Sequence, residues 1–450
     1  MDQTVIERTQ VQTSSTRVLG HPFAFAYGSL LAFVFIYFAR PEDWIPGLGV
    51  VRPAFIAGTL AIAGFVLAAL SSGAGILALP RAIWYLIALF FQLFAAAVFS
   101  PVWRGGAFEV VAYTFSKIVL ITIVIALAVT TLERLRKLIF IQASSFALVA
   151  IVSIVESRRI AGRLMGSLNG IYGNPNDLAF TIALGFPLCW VFLHRTPNKI
   201  KKLLWLVCMG AMSYAVFLTA SRGGLIVLFV SVLFCLWEFG IKGRRRYLLV
   251  ISAIVAMGIL AIAPTKLMDT RFDAFSNRSA SGSAYDSYQQ RHELLITSLR
   301  ITGEHPLFGV GSGNFQVVSG NWHVAHNSLT ELSAEGGIAA LLLFLLMVKS
   351  SFSNLRRARE YNRDHEELNL WFSGLKVAMI SLLVGSLFSS IEYQFFPYML
   401  MAYTAVLYRI TREQEPRGIQ PDATHAVVGF SSSRLRFPEE ASSVATLGSK

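Results

Sequence analysis

Apolar blocks near 20 residues long recur along this chain, the length an α-helix needs to cross ~30 Å of hydrocarbon. They fall at 23–39, 51–70, 82–99, 109–130, 138–155, 178–194, 203–220, 223–240, 247–263, 328–348, 371–391 and 395–410. Barrel strands would alternate apolar and polar residues, and these blocks do not. Of the 450 residues, 54% are hydrophobic and 14% charged, whereas a soluble protein carries about 25% charged residues. The expectation is an all-α protein, a polytopic transmembrane helix bundle of about 12 helices.

Residues 1–22 form a polar tail, 23–410 the transmembrane domain, and 411–450 a second polar tail without strong periodicity, expected to be largely disordered. The first twenty residues lack the basic stretch and cleavage site of a signal peptide, so the first helix is expected to be retained. Orientation follows from Lys and Arg in the short loops. Four clusters stand out: Arg134, Arg136 and Lys137; Arg195, Lys199, Lys201 and Lys202; Lys242, Arg244, Arg245 and Arg246; Arg356, Arg357, Arg359 and Arg363. With twelve spans, all four share the side of both termini, which is then the cytoplasm. The net charge of +13 is read as a topology signal with affinity for anionic lipid headgroups. No soluble basic domain is present to hold nucleic acid.

Cys189, Cys208 and Cys235 sit inside predicted helices without CxxC or metal-ligand spacing, and read as small apolar residues. On the other side of the membrane two loops are long. The first, 156–177, reads "ESRRIAGRLMGSLNGIYGNPND"; the second, 264–327, is too long to be mere connection. Within it "RHELLITSLRIT" places Leu294, Leu295, Leu299 and Ile301 on one stripe, so an amphipathic surface helix is expected. "EHPLFGVGSGNF" follows. Its Gly309, Gly311 and Gly313 lack the preceding strand and following helix of a nucleotide loop, and read as a tight turn. In "YGNPNDLAF" the chemistry around Pro175 suggests a helix cap, with Asp177 or Asn176 as the N-cap.

Arginine on the outer side runs against the positive-inside rule. Arg222, in "TASRGGLIV", is held at the bilayer boundary between two helices with almost no loop. A charge at that depth is a functional candidate; the alternative is snorkelling to headgroups. Arg291 lies in the long loop, and Arg158, Arg159 and Arg163 in the other. A guanidinium fork matches phosphate oxygens and stays charged, so this set suggests an anionic ligand such as a lipid-linked diphosphate. Four of the eight histidines, His292, His305, His323 and His326, fall in the long loop. His323 and His326 make at most half of a zinc site, and no metal is expected. His326 precedes Asn327 and Ser328 at the lipid–water boundary, where an imidazole can take a proton from a hydroxyl or simply be a structural residue.

"HNSLTELSAEGGIAALLLFLLM" resembles the hallmark segment of the O-antigen ligase and polysaccharide polymerase (Wzy-like) family of membrane glycosyltransferases. "RHELLITSLRITGEHPLFGVGSGNF", "TASRGGLI" and "GNPNDLA" are similar to further elements of that family, in its order, over about Gly173 to Lys349. The resemblance implies a twelve-helix inner-membrane enzyme with both termini cytoplasmic and its active site in the periplasm. The loop 264–327, with its short helices, is then periplasmic. Such an enzyme moves a glycan from an undecaprenyl-diphosphate carrier to an acceptor hydroxyl with inversion, without metal or other cofactor. Carried over, Arg222 and Arg291 hold the diphosphate, and His326 activates the acceptor hydroxyl or orients the sugar. Asn174, Asn327, Arg163 and His323 are secondary candidates. "RHELL" lacks the aromatic residue that often follows the arginine in the family. The acceptor class, whether lipid A-core, growing glycan or protein, stays open. Two other classes remain: a transporter, with Lys117 and Lys376 in the membrane, or a non-catalytic component of polysaccharide export. No internal repeat of the transporter kind is evident.

Overall fold

The computed structural model describes residues 23–72, 79–160, 162–166, 171–240, 283–320 and 322–413. Within them α1 spans Ala24–Ala39, α2 Pro53–Ser72, α3 Arg81–Val98 and α4 Arg104–Ala128, the last with a π-helical turn at Val110–Phe115. Next come α5 (Leu132–Glu156), a two-stranded antiparallel hairpin of β1 (Arg159–Ile160) and β2 (Arg163–Leu164), α6 (Pro175–Arg195), α7 (Lys199–Leu218) and α8 (Arg222–Gly240). The rest are α9 (Ser283–Glu304), the short α10 (Phe315–Val318), α11 (Ser328–Tyr361), α12 (Glu366–Ser386) and α13 (Phe395–Glu413). The protein is thus an all-α bundle with one small hairpin, and nine helices among the described residues are long and apolar enough to cross a membrane. Eleven of the twelve apolar blocks are helical; the ninth, 247–263, lies outside the described residues, as do 1–22 and 414–450.

Helix is the outcome because an apolar run in hydrocarbon must satisfy its backbone groups internally. The starts are set by polar caps, which fill the orphan N–H groups of a first turn. The Thr131 side chain accepts from Arg134 N, Asn198 from Ile200 N and Lys201 N, and Ser221 from Gly224 N. For α6 the cap is Asn174, whose Oδ1 accepts from Asn176 N at 2.8 Å, with Pro175 at the first helical position. The expected cap at Asn176 or Asp177 is therefore corrected: proline, lacking an N–H, opens the helix and moves the cap before it.

The core is built around α6, which packs on α5, α7, α8 and α12. Small residues bring these helices close. A Cβ on Gly185 would lie 2.2 Å from the Phe146 ring, and one on Gly374 2.0 Å from Val191. At one end of the bundle Arg136 and Arg195 both pair with Glu367 at 2.6 Å. There too Glu238 binds Lys376 at 2.6 Å and Arg359 at 3.5 Å. Three of the four basic clusters thus meet at one end, while 242–246 lies outside the described residues. Tyr27 at the start of α1 donates to Arg134 O, and Arg409 near the end of α13 donates to Ala126 O and Val129 O.

Helix α11 is broken. Gly337 has φ 77° and ψ 175°, so the half-helix Ser328–Gly336 is separated from the longer half that follows. The break orphans carbonyls that water cannot reach, at a cost of several kcal/mol each. The glycine-rich segment supplies the missing donors: Val310 N bonds Ala334 O and Gly311 N bonds Glu335 O, each at 2.9 Å. Gln92 Nε2 of α3 reaches Leu307 O and Gly336 O at 2.8 and 2.9 Å, and Ile338 N bonds Pro306 O. A Cβ on Gly309 would sit 2.4 Å from Ala334 O, which requires glycine there. The turn reading of this run holds, and its purpose is to clamp the broken helix. Helix α9 begins earlier than "RHELL" suggests, and buries Leu294, Ser298 and Ile301. Leu299 is instead exposed, because the buried positions follow i, i+4, i+7 against α11.

Candidate functional site

At the end of the bundle away from the Glu367 pairs, three helix starts gather: α6 at Asn174, α8 at Ser221 and α11 at Asn327. The first two touch, since a Cβ on Gly224 would meet Ala179 at 2.4 Å. A Cβ on Gly223 would meet Phe388 in the segment joining α12 to α13. Arg163, on β2, fastens the region. Its Nε donates to Thr219 O at 2.8 Å and its Nη2 to Asn176 Oδ1 at 2.7 Å. The α7–α8 turn is tight because Ala220 takes a left-handed conformation (φ 49°) before Ser221 caps α8. Arg222 then occupies the first helical position, with an exposed side chain, where the helix dipole is positive.

The His326 turn is the most constrained piece. His326 itself is left-handed, φ 54°, and half-buried. Asn327 follows as the N-cap of α11, its Oδ1 accepting from Leu329 N (3.0 Å) and Thr330 N (3.3 Å). Ser328 Oγ donates to Ser389 O at 2.6 Å and accepts from Ile391 N at 2.8 Å, which ties the first turn of α11 to the α12–α13 segment. Glu331 Oε2 accepts from Ala325 N at 2.9 Å and from the Ser390 hydroxyl. One turn on, Glu335 accepts from Phe315 N at 3.1 Å and from the Tyr393 hydroxyl at 2.7 Å.

Charge links the candidates. Arg291, half-buried on α9, has its pKa lowered by burial and by the nearby charge of Arg222. It makes no hydrogen bond or ion pair among the described residues. A half-buried cation beside another cation is a place where an anion gains free energy. His326 is held down to about 4 by burial, then by Arg291 and His323, so its imidazole is neutral near pH 7. Arg222, Arg291 and His326, from three separate parts of the sequence, therefore share one electrostatic neighbourhood.

The secondary candidates divide. His323 is exposed and lies near enough for its charge to act on His326. Asn174 and Asn327 have their amide oxygens engaged in capping, and Arg163 is committed to Thr219 and Asn176. Arg158 pairs with Glu156 at 3.2 Å. The three cysteines are free thiols. Lys117 lies 3.1 Å from the centre of the Tyr113 ring, and Lys376 is paired with Glu238 at the opposite end.

Sequence reasoning missed the acidic groups under the site. Glu331, Glu335 and Glu392 are 3%, 0% and 2% exposed. Burial, with Glu331 and Glu335 nearby, pushes the Glu392 carboxyl well above its usual range. The signal was present: two glutamates four residues apart opening an apolar block, and another in "SSIEYQ" between two blocks, each expensive in a membrane.

Comparison with known proteins falls on this region. Residues 206–345 match the O-antigen ligase family. The chain is also 24% identical over 254 residues to the teichuronic acid biosynthesis protein TuaE of Bacillus subtilis (strain 168), covering 54% of this chain and 52% of that relative. The match thus spans about half the length of the curated relative. The stretch that carries α8, the Arg222 turn, Arg291 and the His326 half-helix is the one similar to the O-antigen ligase family, and it is set in a polytopic α-helical membrane protein.

Proposed function

We propose that this protein is a membrane glycosyltransferase that moves a glycan from a polyprenyl-diphosphate carrier, undecaprenyl diphosphate in bacteria, to an acceptor hydroxyl. The observation that carries this reading is the shared electrostatic neighbourhood of Arg222, Arg291 and the neutral His326, inside the O-antigen ligase match. On this reading Arg222 and Arg291 hold the diphosphate. Its oxygens gain negative charge as the glycosidic C–O bond breaks, and fixed guanidinium groups stabilise that leaving group. His326, uncharged, accepts a hydrogen bond from the acceptor hydroxyl and takes its proton as the new C–O bond forms on the opposite face of the sugar, giving inversion. The carrier lipid has already activated the sugar, so these residues suffice without a metal.

The proposal puts the site end at the periplasmic face of an inner membrane and the Glu367 end in the cytoplasm, a reading supported by the basic clusters that collect at the latter. The acceptor is a lipid A-core, a growing glycan or a protein. The relative's name, a teichuronic acid biosynthesis protein, favours surface-polymer synthesis over glycosylation of protein. The test is glycan transfer by the purified protein in liposomes carrying a polyprenyl-diphosphate-linked donor. His326→Ala and Arg291→Ala are each expected to lower the rate roughly 10²-fold or more, the scale of removing one group that stabilises a transition state. Unchanged transfer by both variants would sink the proposal. Solute uptake without transfer would replace it with the transporter reading.

A further inference from the structure

Among the described residues, the donors to the Glu331 carboxyl belong to the frame around His326, not to the site's open face. Ala325 N, the backbone group immediately before His326, bonds Glu331 Oε2 at 2.9 Å, and the Ser390 hydroxyl bonds the same oxygen. Ala325 and Glu331 are each 3% exposed. Between them His326 holds φ 54°, a backbone state that disfavours side chains larger than glycine and persists only where its surroundings over-determine it. Asn327 fixes the C-terminal side of that residue through its cap. On the N-terminal side Ser319 Oγ reaches His323 O only at 3.4 Å, so the bond from Ala325 N is the closer tie to the turn. Trp322, a few residues earlier, is itself left-handed (φ 55°) and exposed, so the approach to the turn is not packed in place by that side chain.

We propose that Glu331 is a positioning residue for His326: its buried carboxyl group clasps Ala325 and Ser390 and so fixes the turn that aims the imidazole. The inference rests on His326 acting in glycan transfer, and it adds a residue that touches no substrate. Both donors meet one oxygen, so a neutral amide oxygen in the same place serves both. Glutamine at this position keeps the clasp. Aspartate, one methylene shorter, withdraws the oxygen by about 1.5 Å and breaks hydrogen bonds whose useful range ends near 3.2 Å. Alanine removes the acceptor and leaves a buried N–H unpaired.

The experiment uses full-length protein in liposomes with the polyprenyl-diphosphate-linked donor. It compares Glu331→Ala, Glu331→Gln, Glu331→Asp, Ser390→Ala and His326→Ala. Glu331→Ala is expected to lower kcat about tenfold or more while KM for the donor stays within about twofold, since the arginines that bind the donor are untouched. Glu331→Gln should restore kcat to within about threefold of the parent, Glu331→Asp should not, and Ser390→Ala should fall between. A second readout needs no turnover: the pH dependence of His326 carbethoxylation, read at the site by mass spectrometry. In the parent its midpoint is expected near 4, and in Glu331→Ala it should move toward the ordinary 6.5 as the turn loosens. Parental kcat in Glu331→Ala, glutamine as damaging as alanine, or an unmoved His326 midpoint would each overturn the inference. His326→Ala separates the two readings. Full transfer by that variant defeats the catalytic role of His326, whereas loss in His326→Ala with none in Glu331→Ala defeats only the clasp.

Discussion

His326 combines a polar side chain at a helix start, visible in the sequence, with a backbone conformation that only the fold reveals and that costs free energy to hold. The pKa of about 4 follows from burial first and from the Arg291 and His323 charges after it. Two consequences can be measured. Transfer measured as kcat/KM, which reports the free enzyme, should keep its acid limb near pH 4 instead of 6.5, because the imidazole lone pair is lost only when the folded protein protonates it. An inflection near 6.5 would contradict the buried, Arg291-facing placement. The linkage with folding has a definite sign. The unfolded chain takes up this proton near 6.5 and the native state only near 4. The contribution of this group is therefore fully present above about 6.5 and is lost as pH falls toward 4. Arg291→Ala, which removes one of the charges holding the value down, should move the acid limb of any residual transfer upward.

At the scale of elements, the broken helix α11 carries the catalytic proposal. The half-helix Ser328–Gly336 presents His326 and Asn327 at its start and Glu331 and Glu335 along its buried side, while the segment 306–311 closes its orphaned carbonyls. Gly337→Ala tests this device. The residue sits at φ 77°, and a Cβ would lie 2.3 Å from Leu307 O, a backbone atom that cannot turn aside. The cost should exceed the roughly 1–2 kcal/mol of the conformation alone, read as a lower melting temperature with reduced transfer. Parental stability would show that the two halves can join into one helix. The apolar blocks, the glycine turn and the Arg–Arg–His set were legible in the sequence because each depends on local pattern or on recognisable motifs. The break at Gly337 was not, since two glycines in a helix look like mere weak formers until the Gln92 side chain, 244 positions from Gly336, and the backbone of Pro306–Gly311 are in place. Nor was the use of Asn327: its capping role is local, but that it leaves the amide oxygen engaged depends on the realised geometry. The stripe on α9 was misread for the same reason, as Leu299 and Ser298 trade places only once α11 defines the buried direction.

At the scale of the whole molecule the two ends differ in kind. One gathers Arg136, Arg195, Arg359 and Lys376 around two glutamates, and the other gathers helix starts, Arg222, Arg291 and His326 over buried carboxyls. On the proposed reading a lipid-linked diphosphate approaches the second end laterally, with its apolar tail left in hydrocarbon, so such a transferase would need no deep soluble domain. The polarity of that arrangement is open to a direct measurement. Trp322 is 73% exposed beside the His326 turn, and Arg356 is exposed near the other end. The three native cysteines lie within α6, α7 and α8, two of them buried, and can be replaced by alanine or serine to give a background without thiols. In that background Trp322→Cys should react with a membrane-impermeant maleimide applied to intact spheroplasts. Arg356→Cys should react only after the membrane is opened. The reverse pattern would put the arginine–histidine end in the cytoplasm. A donor translocated to the outer face would then never meet His326, so labelling at these two positions decides whether the site and its proposed substrate share a side of the membrane.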